Sequence, residues 1–596
     1  MYLDQKQRSA LEKSVLSARK AAERGAGNAL RALAVHHHEP YASMSQDQRD
    51  LRNRLRARGR LLGDTLHGNG VQDITTLTAE TAYEYWHRML FARFLELNGL
   101  LMYTPKVSVT LEECQELAES EGEADKWMVA AKYAARMLPA IFRVDDPVLQ
   151  VPFTTEDRLA LENILEGIEE SIFRADDSLG WVYQFWQSEE KDAINKSGDK
   201  IDGKRLPAVT QLFTEPYMVH FLIDNTIGAW WVSRNPGVTP PVHFKYLRLK
   251  EDGTPAAGSY PGWQNTTKEI TTMDPCMGSG HFLIAQFEVL VRLRIAEEGL
   301  TMEAAATAVI RDNLHGLELD PRCTQIAAFN LALAAWKFAG HFFPLPPMNL
   351  ACSGIAPQGK REEWAALGGK NRNLREGMEM LYDVFRDAPQ LGSLIDPDIN
   401  KGGFDFFNFD GLLKLLEEVS EGEGIENEER GVTAKGIALA GVLLSRKYTL
   451  HITNVPYLAR GKQSAGMAEY INNNYRTSRN DLATVFLERM LKSARAGGTV
   501  CTVMPQNWLF LTTYKHLRKD ILSKNRLNFI ARLGAGAFSQ ISGEVVKAIL
   551  LGVENVKDQE QLFFGTDVSS AKSAKEKDES LQNSDITFVS QKAQLG

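Results

Sequence analysis

The sequence predicts an α/β protein in which an all-helical N-terminal domain precedes a domain built on a mainly parallel β-sheet. In residues 1–205 apolar side chains recur at helical spacing, and strand signals are few. From residue 206 onward, short runs of β-branched residues alternate with apolar helices, which is the pattern of βαβ units. A glycine-containing segment at 274–282 lies between one such strand and one such helix, where α/β sheets place a ligand-binding loop.

The N-terminal domain is predicted to consist of long helices. Their periodic segments are 5–34, 44–62, 77–98, 111–137 and 156–172. One of these segments carries six arginines between Arg49 and Arg60, with only Asp50 opposing them. This run has two interpretations, which are a solvated helix face and a contact for DNA.

The second domain is predicted at residues 206–555, after a polar linker near residue 200. Strands are predicted at 270–273, 314–319, 448–453, 499–504 and 545–553, with helices at 282–293, 302–312, 327–338 and 482–495. Residues 357–446 interrupt this alternation with a polar, partly acidic insert, which we expect to be a surface excursion. Residues 556–596 are rich in Lys, Ser, Asp and Glu, so we expect a disordered tail.

Composition and charge indicate an ordinary globular protein. Hydrophobic residues make up 44% of the 596 residues, and no apolar run approaches the roughly 20 residues that a membrane helix needs. The N-terminus lacks the apolar core of a signal peptide, so we expect a cytoplasmic protein. The five cysteines form no Cys-x-x-Cys pair, so neither disulfides nor a metal site is predicted. The net charge of −8 argues against a uniformly basic nucleic-acid binder.

The segment that begins at Asp274 has the features of a cofactor-binding loop. Gly278 and Gly280 allow the backbone to turn tightly and to approach a ligand without a clashing Cβ atom. The next predicted strand carries Glu318 at its tip, where a carboxylate can accept both ribose hydroxyls of an adenosine. The third glycine of a pyrophosphate-binding loop and a phosphate-binding lysine are both missing. The predicted ligand is therefore an adenosine without phosphates, and S-adenosylmethionine is the obvious candidate.

The strand predicted at 448–453 runs directly into Asn454-Val455-Pro456-Tyr457. A side-chain amide, a backbone carbonyl and an aromatic ring thus meet at the C-terminal end of a strand, the edge at which α/β sheets bind ligands. Two acceptors can hold both N–H protons of an exocyclic amine while the ring stacks on its base. The segment therefore predicts methylation of a base amine, with a plain strand-to-turn junction as the alternative.

These motifs, in this order, resemble the N6-adenine DNA methyltransferases of the gamma arrangement, in which the cofactor motifs precede the catalytic tetrapeptide. Within that family the chain most resembles the large Eco57I-type methylases and the phage-defence methylases of the BREX (PglX-like) and DISARM kind. The resemblance covers roughly residues 206–555. It implies a Rossmann-like class I S-adenosylmethionine-dependent methyltransferase sheet, and methyl transfer to N6 of an adenine flipped out of duplex DNA.

The resemblance also implies a role for each matching residue. The catalytic segment is Asn454, Val455, Pro456 and Tyr457, in which the Asn454 amide oxygen and the Val455 carbonyl accept the N6 protons. The cofactor-binding residues are Thr214, Asp274, Gly278 and Gly280 around the methionine, Glu318 at the ribose, and Leu319 and Phe486 against the adenine. Tyr457 and Phe538 enclose the flipped base, and the reaction needs no metal.

Two positions depart from the family pattern. Val455 replaces the first proline of the usual Asn-Pro-Pro-Tyr, so the carbonyl remains but the fixed φ of proline is lost. Ser353 stands where the family often has an aspartate for the amino group of the cofactor's adenine. Because of these departures a second interpretation stays open, in which the chain is a catalytically weak subunit that binds the cofactor together with DNA or a partner. Because Asn-x-Pro-Tyr also serves other substrates, methylation of RNA or of a protein glutamine stays open too.

The expected partners are duplex DNA and other subunits of a restriction-modification or phage-defence system, while the recognition sequence and the oligomeric state stay open. In the gamma arrangement a target-recognition domain follows the catalytic half, and the residues after the last predicted strand are too few to form one. Either the chain is part of a longer protein, or a partner or the helical region supplies sequence recognition. Because residues 586–589 resemble the start of a further strand, we expect the first. We then expect weak, salt-sensitive DNA binding with little sequence preference.

Overall fold

The computed structural model describes residues 2–139, 141–142, 146–203, 205–210, 213–400, 409–418, 425–539, 546–557 and 562–594. The chain forms two compact units. The first comprises Met1–Glu189, Ala332–Pro344 and Gly422–Glu429, and the second comprises Glu190–Leu331, Leu345–Glu421 and Arg430–Gly596.

The first unit is mainly helical, as predicted. Its helices are α1 (Gln5–Ala32), α2 (Gln46–Leu62), α3 (Thr75–Leu97), α4 (Leu111–Glu121), α5 (Lys126–Met137), α6 (Thr155–Glu166), α7 (Glu170–Arg174) and α8 (Ser178–Ser197). A short hairpin of β1 (Met102–Thr104) and β2 (Val107–Ser108) joins them. Capping boxes at Asp4, Ser45 and Thr110 begin α1, α2 and α4. The single helix predicted at 111–137 is two helices, because Gly122 adopts a left-handed φ of +70° and ends α4.

Two arginines of the predicted basic run are engaged inside the first unit. Arg52 is only 4% exposed, and its guanidinium donates to the carbonyl of Ala34 at 2.8 Å. Arg56 donates to the carbonyls of Val35 at 2.7 Å and Gly70 at 2.9 Å. Carbonyls that follow the end of a helix attract cations. For Arg52 the solvated helix face is therefore wrong, because its side chain is buried and fastens the chain just beyond α1.

The second unit contains a nine-stranded mixed sheet. Its strands are β3 (Thr272–Asp274), β4 (Leu314–Glu318), β5 (Asn349–Cys352), β6 (Tyr448–Asn454), β7 (Ala494–Pro505), β8 (Arg526–Gly534), β9 (Ala548–Glu554), β10 (Leu562–Asp567) and β11 (Thr587–Ser590). Their order is β11-β10-β8-β9-β7-β6-β3-β4-β5. Strands β3 to β7 pair in parallel, whereas β9 runs antiparallel to both β7 and β8. This order is that of a class I methyltransferase sheet, so the predicted fold class is confirmed.

The strand order reverses at β3, which pairs with β4 on one side and with β6 on the other. In α/β sheets such a switch point opens a crevice at the C-terminal ends of the strands. The crevice is therefore expected between Asp274 and Asn454, the last residues of β3 and β6.

The helices before and between the strands are α9 (Leu206–Thr210), α10 (Pro216–Ile223), α11 (Ala229–Arg234), α12 (His281–Glu298), α13 (Met302–Asp312), α14 (Pro321–Ala339), α15 (Arg361–Ala366), α16 (Arg372–Phe385), α17 (Ala388–Leu391), α18 (Pro397–Asn400), α19 (Phe409–Glu418), α20 (Ile425–Ser445), α21 (Ala465–Asn474), α22 (Leu482–Ser493), α23 (Lys515–Lys524) and α24 (Ala574–Asn583).

The insert at 357–446 is not the surface excursion that its composition suggested. Its described residues form α15 to α20 and a 3₁₀ turn at Gly392–Leu394. Met378, Leu381 and Phe385 on α16 are fully buried and belong to the same hydrophobic cluster as residues of the sheet. Their spacing of three or four residues gives α16 one apolar face, which the polar average of the insert conceals. The acidic stretch at 419–424 lies outside the described residues.

The described residues 562–594 of the C-terminal region are folded, so the prediction of a disordered tail is wrong for them. β10 pairs in parallel with β8, β11 pairs antiparallel with β10, and α24 connects the two in sequence. Phe564 and Leu581 are fully buried. The predicted strand at 586–589 is confirmed as β11. A polar composition is compatible with this structure, because backbone hydrogen bonds to β8 satisfy β10 whatever its side chains are.

Three findings concern classes of site other than the crevice. No described helix is long and apolar enough to cross a lipid bilayer. The five cysteines are free thiols. In the part of the chain that the structure describes, no group of three or more His, Cys, Asp or Glu residues could hold a metal ion.

Candidate active site

Two carboxyl groups lie at the C-terminal ends of neighbouring strands. Asp274 ends β3 and Glu318 ends β4, and the strands pair with Asp274 opposite Gly316. Asp274 is fully buried, and its Oδ1 accepts the amide N–H of Cys276 at 3.1 Å. Burial raises the pKa of Asp274 to about 7 and the pKa of Glu318 to about 7. Burial thus disfavours the ionised form of both carboxyls, and a hydrogen-bond donor or a positive charge beside them would favour it.

The loop between β3 and α12 is tied to Glu318. Gly278 and Gly280 have φ angles of +51° and +86°, the left-handed region that glycine adopts without strain. A Cβ atom on Gly280 would lie 3.1 Å from Cα of Ala327, so glycine also lets the loop approach α14. The N–H of Gly278 donates to Glu318 Oε2 at 2.8 Å, and the N–H of Leu319 donates to Oε1 at 2.8 Å. The glycine loop and the carboxylate thus form one rigid edge of the crevice.

The insert helps to build the edge at which the cofactor's adenine is predicted. Leu319 packs against the hydrophobic cluster that contains Phe486, which is 5% exposed on α22. The 3₁₀ turn of the insert closes on the same edge, because a Cβ atom on Gly392 would lie 2.9 Å from Leu319 Cδ1. Nothing in the sequence around Gly392 signals this placement, since it depends on the fold of the whole insert.

Ser353 makes its hydrogen bonds within the protein. Its Oγ donates to the carbonyl of Glu318 at 3.1 Å and lies 3.1 Å from Oγ of Ser393 in the 3₁₀ turn. Its backbone N–H donates to the same carbonyl at 2.7 Å. Ser353 therefore joins the tip of β4 to the insert, and Ser393 is a residue of this edge that the sequence did not reveal.

Asn454 lies at the tip of β6 and is held from two sides. Its Nδ2 donates to Thr214 Oγ1 at 3.0 Å, and its Oδ1 accepts the hydroxyl of Tyr457 at 2.8 Å. Thr214 is buried, and burial raises the pKa of Tyr457 well above its ordinary value, so its hydroxyl stays a donor. Val455 is 3% exposed and packs in the hydrophobic cluster. The structure thus brings three predicted site residues, Thr214, Asn454 and Tyr457, into one hydrogen-bonded group.

The segment before α10 also holds the loop that carries Phe538. Tyr217 Oη donates to the carbonyl of Ala537 at 2.8 Å, and the N–H of Ser539 donates to Glu215 Oε1 at 2.8 Å. Phe538 itself is 5% exposed. Residues 214–217 therefore contact both segments that are predicted to enclose a base. The sequence indicated the segment, but not that Glu215 and Tyr217 are the residues that hold the Phe538 loop.

Not every predicted residue is joined directly to the others. Within the described part of the chain, no ring contact links Tyr457 with Phe538. Phe486 lies on α22 and belongs to the hydrophobic cluster against which Leu319 packs. The predicted residues therefore form two groups, one around Glu318 and one around Asn454, at neighbouring strand tips of the same sheet edge.

The chain matches a known protein family over part of its length. The family of the Eco57I restriction-modification methylase matches residues 312–538. This range runs from the last residue of α13 to Phe538 and includes β4 and the tip of β6. The glycine loop at 278–280 precedes it.

Two curated relatives resemble most of the chain. The adenine-specific methyltransferase PglX of Lacticaseibacillus casei (strain Zhang) is 27% identical over 577 residues, which cover 87% of this chain and 47% of PglX. The adenine-specific methyltransferase BrxX of Escherichia coli O9:H4 (strain HS) is 25% identical over 548 residues, which cover 81% of this chain and 44% of BrxX. The chain thus spans about half the length of the curated relatives it matches.

Among solved structures, the cryo-EM structure of the DrdV–DNA complex matches 98% of this chain and 46% of that chain. The sequence identity is 13% and the TM-score is 0.48.

Taken with the family match, the two relatives show that this chain contains an Eco57I-type restriction-modification methylase domain and is homologous to adenine-specific methyltransferases of the PglX and BrxX kind.

Proposed function

We propose that this chain transfers a methyl group from S-adenosylmethionine to N6 of an adenine flipped out of duplex DNA, as part of a restriction-modification or phage-defence system. The observation that carries the proposal is the position of Asn454, whose amide is fixed by Thr214 and Tyr457 at the tip of β6. Duplex DNA is the proposed substrate, and other subunits of the system are proposed as partners. Homology to adenine-specific methyltransferases supports the choice of adenine.

The residues around Glu318 fit S-adenosylmethionine. The cofactor offers two ribose hydroxyls and an ammonium group as donors, and the two carboxyls with raised pKa values supply acceptors for them. We propose that Glu318 accepts the ribose hydroxyls and that Asp274 and Thr214 lie at the methionine end. Leu319 and Phe486 would then pack against the adenine ring. When bound, the cofactor supplies an electrophilic methyl group on a sulfonium.

The residues around Asn454 would act on the target base. A carbonyl oxygen has two lone pairs, so Asn454 Oδ1 can accept an N6 proton while it keeps the Tyr457 hydroxyl. The Val455 carbonyl would accept the second N6 proton, which concentrates the nitrogen lone pair on the side of the methyl group. Tyr457 and Phe538 would stack on the two faces of the base. In this mechanism no side chain forms a covalent bond with the base or the cofactor, so the rate enhancement comes from positioning the base amine against the methyl group.

The substitution of proline by Val455 is compatible with this role. Proline would restrict the backbone through its ring. Here the side chain of Val455 is 3% exposed within the hydrophobic cluster, and Asn454 before it is held through Thr214. Packing and hydrogen bonding therefore supply part of the restraint that proline gives in the usual tetrapeptide.

The test is to identify the methylated product. The chain is incubated with isotope-labelled S-adenosylmethionine and unmethylated duplex DNA, RNA or protein extract, and each digest is analysed by mass spectrometry. We expect labelled N6-methyladenine from DNA, and no label with the Asn454→Ala variant, which should still bind the cofactor because the amide acts on the target base. N4-methylcytosine as the product, label only in RNA or glutamine, or no label at all would contradict the proposal.

A further inference from the structure

Two large apolar side chains are exposed in the segment that leaves β7. Phe510 is 59% exposed and Leu511 is 51% exposed. They follow Trp508, which is buried at 4%. We refer to Phe510 and Leu511 as the apolar tip. Burial of such side chains is favourable, so their exposure side by side indicates a contact surface.

The apolar tip is held on a defined turn. The N–H groups of Phe510 and Leu511 both donate to the carbonyl of Asn507, at 3.2 and 3.1 Å. Arg518 Nη1 donates to the carbonyls of Trp508 and Leu511, at 2.7 Å each. The turn is thus fixed by hydrogen bonds to the carbonyls of Asn507, Trp508 and Leu511, and little ordering is needed when a partner binds.

The turn that carries the tip is connected to both segments that are proposed to enclose the flipped base. On one side, Asn480 Nδ2 donates to the carbonyl of Thr513 at 3.1 Å, and the carbonyl of Asn480 accepts the N–H of Arg460, three residues after Tyr457, at 3.0 Å. On the other side, the guanidinium of Arg532 lies 5.7 Å from the ring of Phe510. Arg532 is on β8, the strand that leads to Phe538.

The charge around the tip is opposite to that of the chain as a whole. Residues 458–481 and 506–520 contain seven Lys and Arg residues against three acidic ones, whereas the chain has a net charge of −8. Lys515 and Lys519 are exposed on α23, directly after the tip. An apolar tip on a basic surface fits DNA, which offers phosphates for the cations and a base stack for the apolar side chains.

We propose that the apolar tip enters the base stack of duplex DNA and fills the space that the flipped adenine leaves. This inference rests on the proposed function and assigns a DNA-contacting role to residues outside the catalytic segment. Flipping removes a base from between its neighbours, and an inserted aromatic or aliphatic side chain recovers part of the lost stacking. Because the turn adjoins the Tyr457 and Phe538 segments, the tip would occupy the gap while those rings hold the base.

The experiment compares two duplexes of the same sequence, one intact and one with a single central abasic site. The abasic duplex presents the gap in advance, so the chain should bind it about fivefold or more tightly than the intact duplex, as expected for one stacked aromatic side chain. The double variant Phe510→Ala with Leu511→Ala should lose this preference. Fluorescence anisotropy at one fixed salt concentration measures both affinities for each protein.

A matched control is Val238→Ala, which removes a side chain that is 56% exposed in another segment and should leave the preference unchanged. Thermal melting and S-adenosylmethionine affinity establish that each variant is folded. A photoreactive phenylalanine analogue at position 510 should cross-link to DNA.

Three outcomes would overturn the proposal. The double variant could prefer the abasic duplex as strongly as the unmodified chain does, the unmodified chain could show no such preference, or the analogue at position 510 could cross-link only to protein. The comparison requires no methyl transfer, so it is separate from any failure to find N6-methyladenine.

Discussion

The side-chain nitrogen of Asn454 and the hydroxyl oxygen of Thr214 lie 3.0 Å apart although the residues are 240 positions apart in the chain. This hydrogen bond decides which atom of the amide is available to a base. With Nδ2 engaged by Thr214, Oδ1 is the atom that faces Tyr457 and the proposed base site. We therefore propose Thr214 as a positioning residue for the Asn454 amide.

Thr214→Val should therefore lower the rate of methyl transfer. The substitution keeps the shape of the side chain but removes the acceptor for Asn454 Nδ2, and an unmade hydrogen bond of this kind costs about 1–1.5 kcal/mol, or roughly tenfold in rate. Single-turnover methylation measures the rate, and calorimetry measures the cofactor affinity. Thr214→Ser keeps the acceptor and should stay close to the unmodified rate. A Thr214→Val variant with full activity would show that the amide needs no such support.

Glu318→Ala should weaken the binding of S-adenosylmethionine. If the carboxylate accepts the ribose hydroxyls, its removal costs about 1.5–3 kcal/mol, the range for a charged hydrogen-bond partner. The variant also frees the N–H of Gly278, so its fold is checked by circular dichroism before calorimetry. Glu318→Gln retains one carbonyl acceptor, so its affinity for S-adenosylmethionine should lie between those of the unmodified chain and of Glu318→Ala. Unchanged affinity in a folded Glu318→Ala protein would remove Glu318 from the cofactor site.

Cofactor affinity should rise as the pH increases through 7. Burial raises the pKa values of Asp274 and Glu318 to about 7, so below that pH both carboxyls are mostly protonated in the free protein. A protonated carboxyl has no charge to offer the positively charged cofactor, so binding selects the ionised forms and releases protons. Calorimetry in two buffers with different ionisation enthalpies measures this release. The same proton release in Glu318→Gln would exclude Glu318 as its source.

The same pKa shifts predict the opposite slope for the stability of the free protein. The pKa values of both carboxyls are higher in the folded than in the unfolded chain, so the folded state binds protons more tightly. Their contribution to stability is full at acidic pH and is lost as the pH rises from about 4 to about 7. Relative to Glu318→Gln, the melting temperature of the unmodified chain should therefore fall over this range. If the melting temperature of the unmodified chain rose with pH relative to that of Glu318→Gln, the raised pKa of Glu318 would be contradicted.

The strand tips could be predicted from the sequence because the chemistry there is local. Asp274, Glu318 and Asn454 each follow a buried β-branched or apolar run, and parallel strands bring their C-terminal ends to one edge. The insert and the C-terminal extension, residues 556–596, could not be predicted as folded, apart from the strand at 586–589, because their polar average composition conceals apolar faces such as that of α16. Ser393 reaches the adenine edge through the fold of α15 to α17, and no local pattern around it indicates this.

Lys577 connects the C-terminal extension to the segment that leads to Phe538. It is fully buried on α24, and its Nζ donates to the carbonyls of Leu533 at 2.7 Å and Val568 at 3.4 Å, as well as to that of Ala571. Leu533 is the penultimate residue of β8, directly before the turn that leads to Phe538. In the same turn Gly536 has a φ of +72°, and a Cβ atom on it would lie 2.4 Å from the carbonyl of Lys572. The extension therefore packs directly against the backbone that presents Phe538.

Lys577→Met should accordingly impair use of the target base while leaving cofactor binding intact. Loss of the ammonium group leaves buried carbonyls without a donor, at a cost of about 1–3 kcal/mol in stability. Part of that cost should appear as a looser Phe538 loop and so as a lower kcat for DNA methylation. Lys575→Met is the matched control, because Lys575 lies on the same helix and is exposed. Calorimetry with S-adenosylmethionine should give the unmodified affinity for both variants. If Lys577→Met weakened cofactor binding and methylation to the same extent, the lysine would support the whole fold rather than the base-enclosing loop.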